Sequence, residues 1–248
     1  MTLIVLALAL VSGLLIGCIG IGGVLLVPSL SLAGVAVHDA IAASMLCYVF
    51  SGGIAAWIYA REGSIAWTAA GWLSAGAMPG AFAGAAIANA VSGELLMLLI
   101  GLAVLLSGLR SLAGTRAPAA EASPLGALPL LGIGAVVGAG SALTGTGGPV
   151  LLVPLLLWFR LPVLLVVGLS QALQVPIALL ATLGNLVYGR IELELAAVLS
   201  VGVLAGAGLG ARIAHALPRV VLTRLVGIVL LVLGAVLLYR ARRWLIAP

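Results

Sequence analysis

Apolar residues run along this chain in long stretches, separated by short gaps that hold nearly all of its charge. A membrane-spanning helix needs about 20 apolar residues. By that measure 39–60, 66–88 and 94–112 predict three spans, and 163–188, 194–216 and 220–240 predict three more. Two further stretches, 2–33 and 127–158, are longer, and glycine interrupts each of them, over Gly17–Gly23 and over Gly145–Pro149. Residues 113–126 are a polar, proline-containing linker. The pattern predicts an all-α polytopic membrane protein with a first transmembrane repeat over 1–112, the linker over 113–126 and a second repeat over 127–248.

The repeat is visible in the letters. Val24-Leu25-Leu26-Val27-Pro28 returns intact as Val150-Leu151-Leu152-Val153-Pro154, 126 positions on. The same shift carries Ser44 onto Ser170, Gly63 onto Gly189, Gly101 onto Gly227, and Gly76, Gly80 and Gly84 onto Gly202, Gly206 and Gly210. Gly20-Ile21-Gly22-Gly23 matches Gly145-Thr146-Gly147-Gly148 at a shift of 125, with Pro149 as the insertion. Each half is thus expected to hold about four helices, the first broken at its glycines.

If each broken stretch crosses once, both termini and the linker share a side. That side then carries Arg61, Arg110, Arg116, Arg190, Arg240, Arg242 and Arg243, against Arg160, Arg212, Arg219 and Arg224 opposite. The positive-inside rule then puts the termini in the cytoplasm. If each broken stretch dips in and returns, the crossings per half become odd and the repeats inverted, a common transporter plan. The charge count slightly favours the first topology.

Composition agrees with the bilayer. The chain is 64% hydrophobic and 7% charged, with mean hydropathy +1.38, against about 25% charge in ordinary soluble domains. Its net charge of +5 comes from 11 arginines without a lysine. These suit topology and anionic lipid; no basic cluster has aromatics interleaved for nucleic acid. Cys18 and Cys47 have neither metal-ligand spacing nor a disulfide framework, and free cysteine packs as a small apolar residue. The N-terminus lacks a basic n-region and reads as a retained first span.

The breaks carry the candidate chemistry. Backbone in hydrocarbon cannot leave its N–H and C=O groups unpaired, so an interrupted helix belongs beside protein, water or ligand. The apolar run after each break can start a new helix, whose first N–H groups lack intrahelical partners and whose dipole is positive there. Gly20, Gly22 and Gly23 in one half, and Gly145, Gly147 and Gly148 in the other, would let an anion reach those groups, with Thr144 and Thr146 adding hydroxyls. The plainer reading is that these glycines only let helices pack closely.

Few polar residues interrupt the spans. Ser44 and Ser170 are equivalent in the repeat, and Gln171 and Gln174 share a helix face. The two amides suit an anion or a neighbouring helix equally well. Asn185 reads as interfacial, and Asp39 as the cap of its span. His38 is a candidate for proton coupling beside its plainer interfacial reading. Arg212 and His215 fall near the end of a glycine-rich helix, where Arg212 snorkels to headgroups or draws an anion to the mouth. The ladders Gly76–Gly84 and Gly202–Gly210 recur every four residues and predict close helix packing.

The glycine break leading into Val-Pro, the His38-x-Ala40-x3-Ser44 element, the turn Gly63-Ser64-Ile65-Ala66-Trp67 and the Gly80-x3-Gly84 element resemble the TauE/SafE sulfite exporter family of anion transporters. The resemblance covers roughly residues 3–112 and 127–240. It implies secondary transport of small sulfur-containing anions such as sulfite, sulfonates or thiosulfate across a bacterial inner membrane. The expected partners are that anion and the lipid bilayer, with proton coupling and a homodimer as further options, and no cofactor or metal. The second half has Leu161-Pro162 where the first has Val37-His38, a departure from the family's pattern.

Other classes fit less well. An intramembrane enzyme needs a nucleophile with a base, or a metal site, and the chain has two histidines, no HExxH and no paired membrane aspartates. An ATP-driven pump needs a phosphate loop, which is missing. An anion channel, or a membrane subunit of a larger complex, remains the alternative.

Overall fold

The computed structural model describes residues 2–32, 34–35, 37–87, 93–113, 125–144, 148–188 and 192–246. Among them there is no strand. The helices are α1 (Thr2–Ile19), α2 (Gly23–Leu32), α3 (Val37–Arg61), α4 (Trp67–Ile87), α5 (Gly93–Leu112), α6 (Ala127–Thr144), α7 (Pro149–Trp158), α8 (Val163–Tyr188), α9 (Leu193–Ala216) and α10 (Arg219–Ile246). Most of the linker 113–126 lies outside the described residues, as do Asn89, Gly145, Thr146, Gly147 and Arg190.

Helix limits follow local chemistry. Asp39 in the first turn of α3 and Arg61 in its last turn complement the helix dipole. Proline at the first helical position, Pro149, opens α7 after Gly148, where the proline N–H would have been unpaired in any case. Leu217, extended ahead of Pro218, ends α9.

The chain is a multi-pass membrane protein. Ala42–Arg61, Val163–Leu183, Leu193–Ala216 and Arg219–Tyr239 are each long and apolar enough to cross a bilayer. Val5–Ile19, Ala127–Ser141 and Pro149–Trp158 are apolar but shorter. Bulky side chains face outward, with Phe82 82% and Leu128 81% exposed, a surface suited to hydrocarbon and costly in water. The spans in α3 and α8 are mostly buried, whereas those in α9 and α10 are mostly exposed. The first pair is therefore the centre of the bundle.

Glycine sets the closest helix contacts. Gly202, Gly206 and Gly210 bring α9 onto α1, and Gly13 and Gly17 answer from α1. Gly76 and Gly80 do the same for α4 against α6, where Gly134 and Gly138 reply. A Cβ at any of these positions would overlap the facing helix, in most cases its backbone. The two ladders thus pack helices, the use small residues have in membranes, where helices lack a hydrophobic drive to associate.

Contact order gives direction. Gly202 meets Leu6 and Ala9, Gly206 meets Leu10 and Leu14, and Gly210 meets Leu14 and Cys18, so α1 and α9 run the same way. Gly134 on Leu73 and Gly138 on Ala77 make α4 and α6 parallel as well. Gly101 on Leu237 and Gly108 on Leu231 make α5 and α10 antiparallel. Gly168 on Tyr59 and Gly52 on Val175 make α3 and α8 antiparallel.

At the end of α1 the chain doubles back. Gly22 lies against the Ser12 carbonyl and the backbone nitrogen of Ile16, so α2 begins beside the helix it has just left. Gly140 of α6 likewise lies against Leu151 of α7, eleven positions on, across the second break. A continuous helix would hold two such residues about 16 Å apart.

Candidate substrate site

Gly20 turns the chain at φ +81°, a left-handed conformation that glycine adopts without strain. Its amide closes α1 by donating to Ile16 O at 2.8 Å. Gly23 then opens α2, a helix of ten residues whose first N–H groups have no intrahelical acceptor. Gly148 repeats the device before α7, with φ +94° and its carbonyl accepting from Leu151 and Leu152 at 3.1 Å.

Side chains of α3 and α8 surround the first break. A Cβ on Gly20 would stand 2.7 Å from Ser170 Oγ and 3.3 Å from Val153 of α7, so elements of the second half close over it. Ser170 donates its hydroxyl hydrogen to Val167 O at 2.7 Å. Gln171, fully buried, donates from Nε2 to Ile16 O, one turn before the break. Gln174 donates to Tyr48 O at 3.3 Å and to Ser51 Oγ at 3.4 Å, tying α8 to α3. The Tyr48 hydroxyl donates to Gly23 O at 2.7 Å, holding the start of α2.

Two atoms in this region are buried without a hydrogen-bond partner, Ser44 Oγ and Gln171 Oε1. Ser44 sits one turn before Tyr48, with the Tyr48 hydroxyl beside it. An unpaired polar atom away from water typically costs about 1–3 kcal/mol. Native proteins retain such groups where a water, ion or ligand completes them.

The structure therefore brings Gly20, Ser170 and Gln171 together, and Gly23, Tyr48 and Ser44 beside them. Gln174 joins the two sets through Tyr48 and Ser51. Gly22 serves the chain reversal, packed on α1. Gly148 faces apolar neighbours, Ile177 and Val137. Thr144 ends α6, its side chain lying outside what is described, and Gly145, Thr146 and Gly147 are outside as well.

Sequence reasoning passed over Tyr48, although its place four residues after Ser44 puts it on the same helix face. It also passed over Tyr59, whose hydroxyl donates to Gly17 O at 3.0 Å. Nothing local to Tyr59 marks it, because its partner is 42 positions away.

A family model described as sulfite exporter TauE/SafE matches residues 5–237. Two proteins of Xylella fastidiosa, each named a probable membrane transporter protein, align over 245 residues, which is 95% of this chain and 94% of each relative. The protein of strain Temecula1 is 28% identical and that of strain 9a5c 29%. No solved structure matches at a significant level.

Proposed function

The chain belongs to the TauE/SafE sulfite exporter family, and on that premise we propose that it is a secondary transporter of small sulfur-containing anions, of the sulfite, sulfonate or thiosulfate class, in a bacterial inner membrane. The relatives' names support transport. The observation that carries the site is the first break, where the Gly20 turn and the start of α2 meet the Ser170 side chain of α8 and Val153 of α7 inside the bundle. An anion there would be held by backbone N–H groups and the positive end of α2. The matching break before α7 would supply the second helix start, and Gly145, Thr146 and Gly147 precede it in sequence.

The packing favours inverted repeats. Doubling back at Gly22 makes α1 and α2 a re-entrant hairpin, followed by three crossings, α3 to α5. Contact of Gly140 with Leu151 supports the same reading for α6 and α7, followed by α8 to α10. With three crossings per half, the termini lie on one face and the linker on the other. The linker face then holds Arg61, Arg110, Arg116, Arg160, Arg212, Arg219 and Arg224, and the terminal face Arg190, Arg240, Arg242 and Arg243. Seven against four now places the linker in the cytoplasm. The reciprocal pairs α1–α9 and α4–α6 fit two like units related by an axis in the membrane plane.

Uptake into proteoliposomes tests the function. The purified protein should support counterflow of at least one of sulfite, thiosulfate and sulfoacetate. Flux that dissipates gradients without exchange-driven accumulation would mean a channel instead.

A further inference from the structure

We propose that His215 is the proton-binding residue of this protein, charged when the anion is bound and neutral when it is absent. The inference rests on the anion-transport reading above and adds the group that balances the anion's charge.

The geometry fixes the tautomer. His215 Nδ1 lies 2.7 Å from Ala211 O, an acceptor only, so Nδ1 carries a hydrogen. Nε2 lies 3.1 Å from Ser64 Oγ, which either donates or accepts. In the neutral ring the Ser64 hydroxyl donates to Nε2. When a proton binds Nε2, the hydroxyl rotates and accepts instead. The site thus takes a proton without moving a heavy atom.

The same ring reaches the break. Tyr59 packs edge-on against it, with ring centroids 4.5 Å apart, and the Tyr59 hydroxyl donates to Gly17 O in the last turn of α1. Ser64 belongs to the turn between α3 and α4, and His215 to the end of α9, so the contact spans 151 positions and joins the two halves. Cys18 of α1 lies beside Tyr59, while Arg61 and Glu62 at the end of α3, Arg212 on α9 and Arg219 at the start of α10 are exposed. His215 is only partly buried, within reach of water. The proton comes from that water as the anion arrives and returns to it as the anion leaves.

The site around Gly20, Ser170 and Gln171 contains no arginine among its described neighbours. His215, linked through the Tyr59 ring to Gly17 in the last turn of α1, supplies positive charge on demand. A fixed cation would hold the anion equally at every stage.

The test measures thiosulfate affinity, by saturation of proteoliposome uptake, from about pH 5.5 to 8.5, across the ordinary histidine range. Thiosulfate does not change charge near neutral pH. In the unmodified protein the apparent affinity should fall by up to about tenfold per pH unit above the midpoint. His215→Gln, which keeps an acceptor for Ser64 and cannot be protonated, should flatten that dependence. His215→Asn, equally unable to bind a proton, is the second variant and should flatten the dependence too. A pH dependence in His215→Gln equal to that of the unmodified protein would overturn the assignment. If His215→Gln does not fold, a pH dependence in His215→Asn equal to that of the unmodified protein would overturn it. Absence of uptake of thiosulfate, sulfite and sulfoacetate alike by the unmodified protein would instead defeat the transport reading on which it rests.

Discussion

The amide nitrogen of Gln171 donates to the carbonyl oxygen of Ile16, across 155 positions of sequence. The bond fastens α8 of the second half to α1 of the first, one turn before the chain reverses at Gly20. The Ile16 carbonyl also accepts from Gly20 N at 2.8 Å, so the amide is its second donor where α1 ends.

Gln171→Leu should therefore cost about 0.5–1.5 kcal/mol of stability, the net worth of one hydrogen bond, since the Ile16 carbonyl keeps its bond from Gly20. Thermal unfolding in detergent reads the loss. An unchanged melting temperature would show that the bond contributes nothing to holding the break.

Gly206→Leu should stop folding or turnover, because its Cβ would overlap the Leu10 carbonyl and the Leu14 nitrogen, and backbone cannot step aside. Overpacking of this kind costs about 1–3 kcal/mol or more. Gly71→Leu is the control, since nothing lies within 4 Å of a Cβ there. Size-exclusion profiles of the two variants should differ sharply, and similar profiles would contradict the close packing of α1 and α9.

Topology is open to labelling. A cysteine at Ala119 in the linker and one at Pro248 should react with a membrane-impermeant maleimide from opposite faces. The native Cys18 and Cys47 are buried and form the background. Reaction of both new cysteines from one face would return the account to four crossings per half.

Lengthening the linker 113–126 with several Gly-Ser pairs should leave uptake nearly intact, as expected of a segment that only joins the halves. Loss of uptake in a well-inserted variant would mean that the linker does more than tether.

Much of this architecture was legible in the sequence. The span predicted over 163–188 is α8 to the residue, since apolar length is a direct consequence of bilayer thickness. The ladder Gly202–Gly210 announced a packed face through its four-residue period, but a period gives a face and not a partner. That the partner is α1, from the other half, came only from the fold. Reversal at Gly22 was equally hidden, because a glycine break serves a crossing and a hairpin alike. Ser44, Ser170, Gln171 and Gln174 stood out as polar positions in apolar stretches, and all four are buried. Which way each amide points depends on carbonyls more than a hundred positions away, such as those of Ile16 and Tyr48. The contact of Ser64 with His215 left no local trace for the same reason.

The central claim is that an anion is bound by backbone at the paired helix starts, and Gly147→Val tests it most directly. Gly147 directly precedes Gly148 and the start of α7 in sequence, so a branched side chain there is expected to hinder an anion's approach while leaving every arginine in place. The measurement is sulfite, thiosulfate and sulfoacetate uptake into proteoliposomes by this variant, with its size-exclusion profile matched to the unmodified protein. The account predicts loss of uptake in a folded variant. Normal uptake by folded Gly147→Val would contradict it.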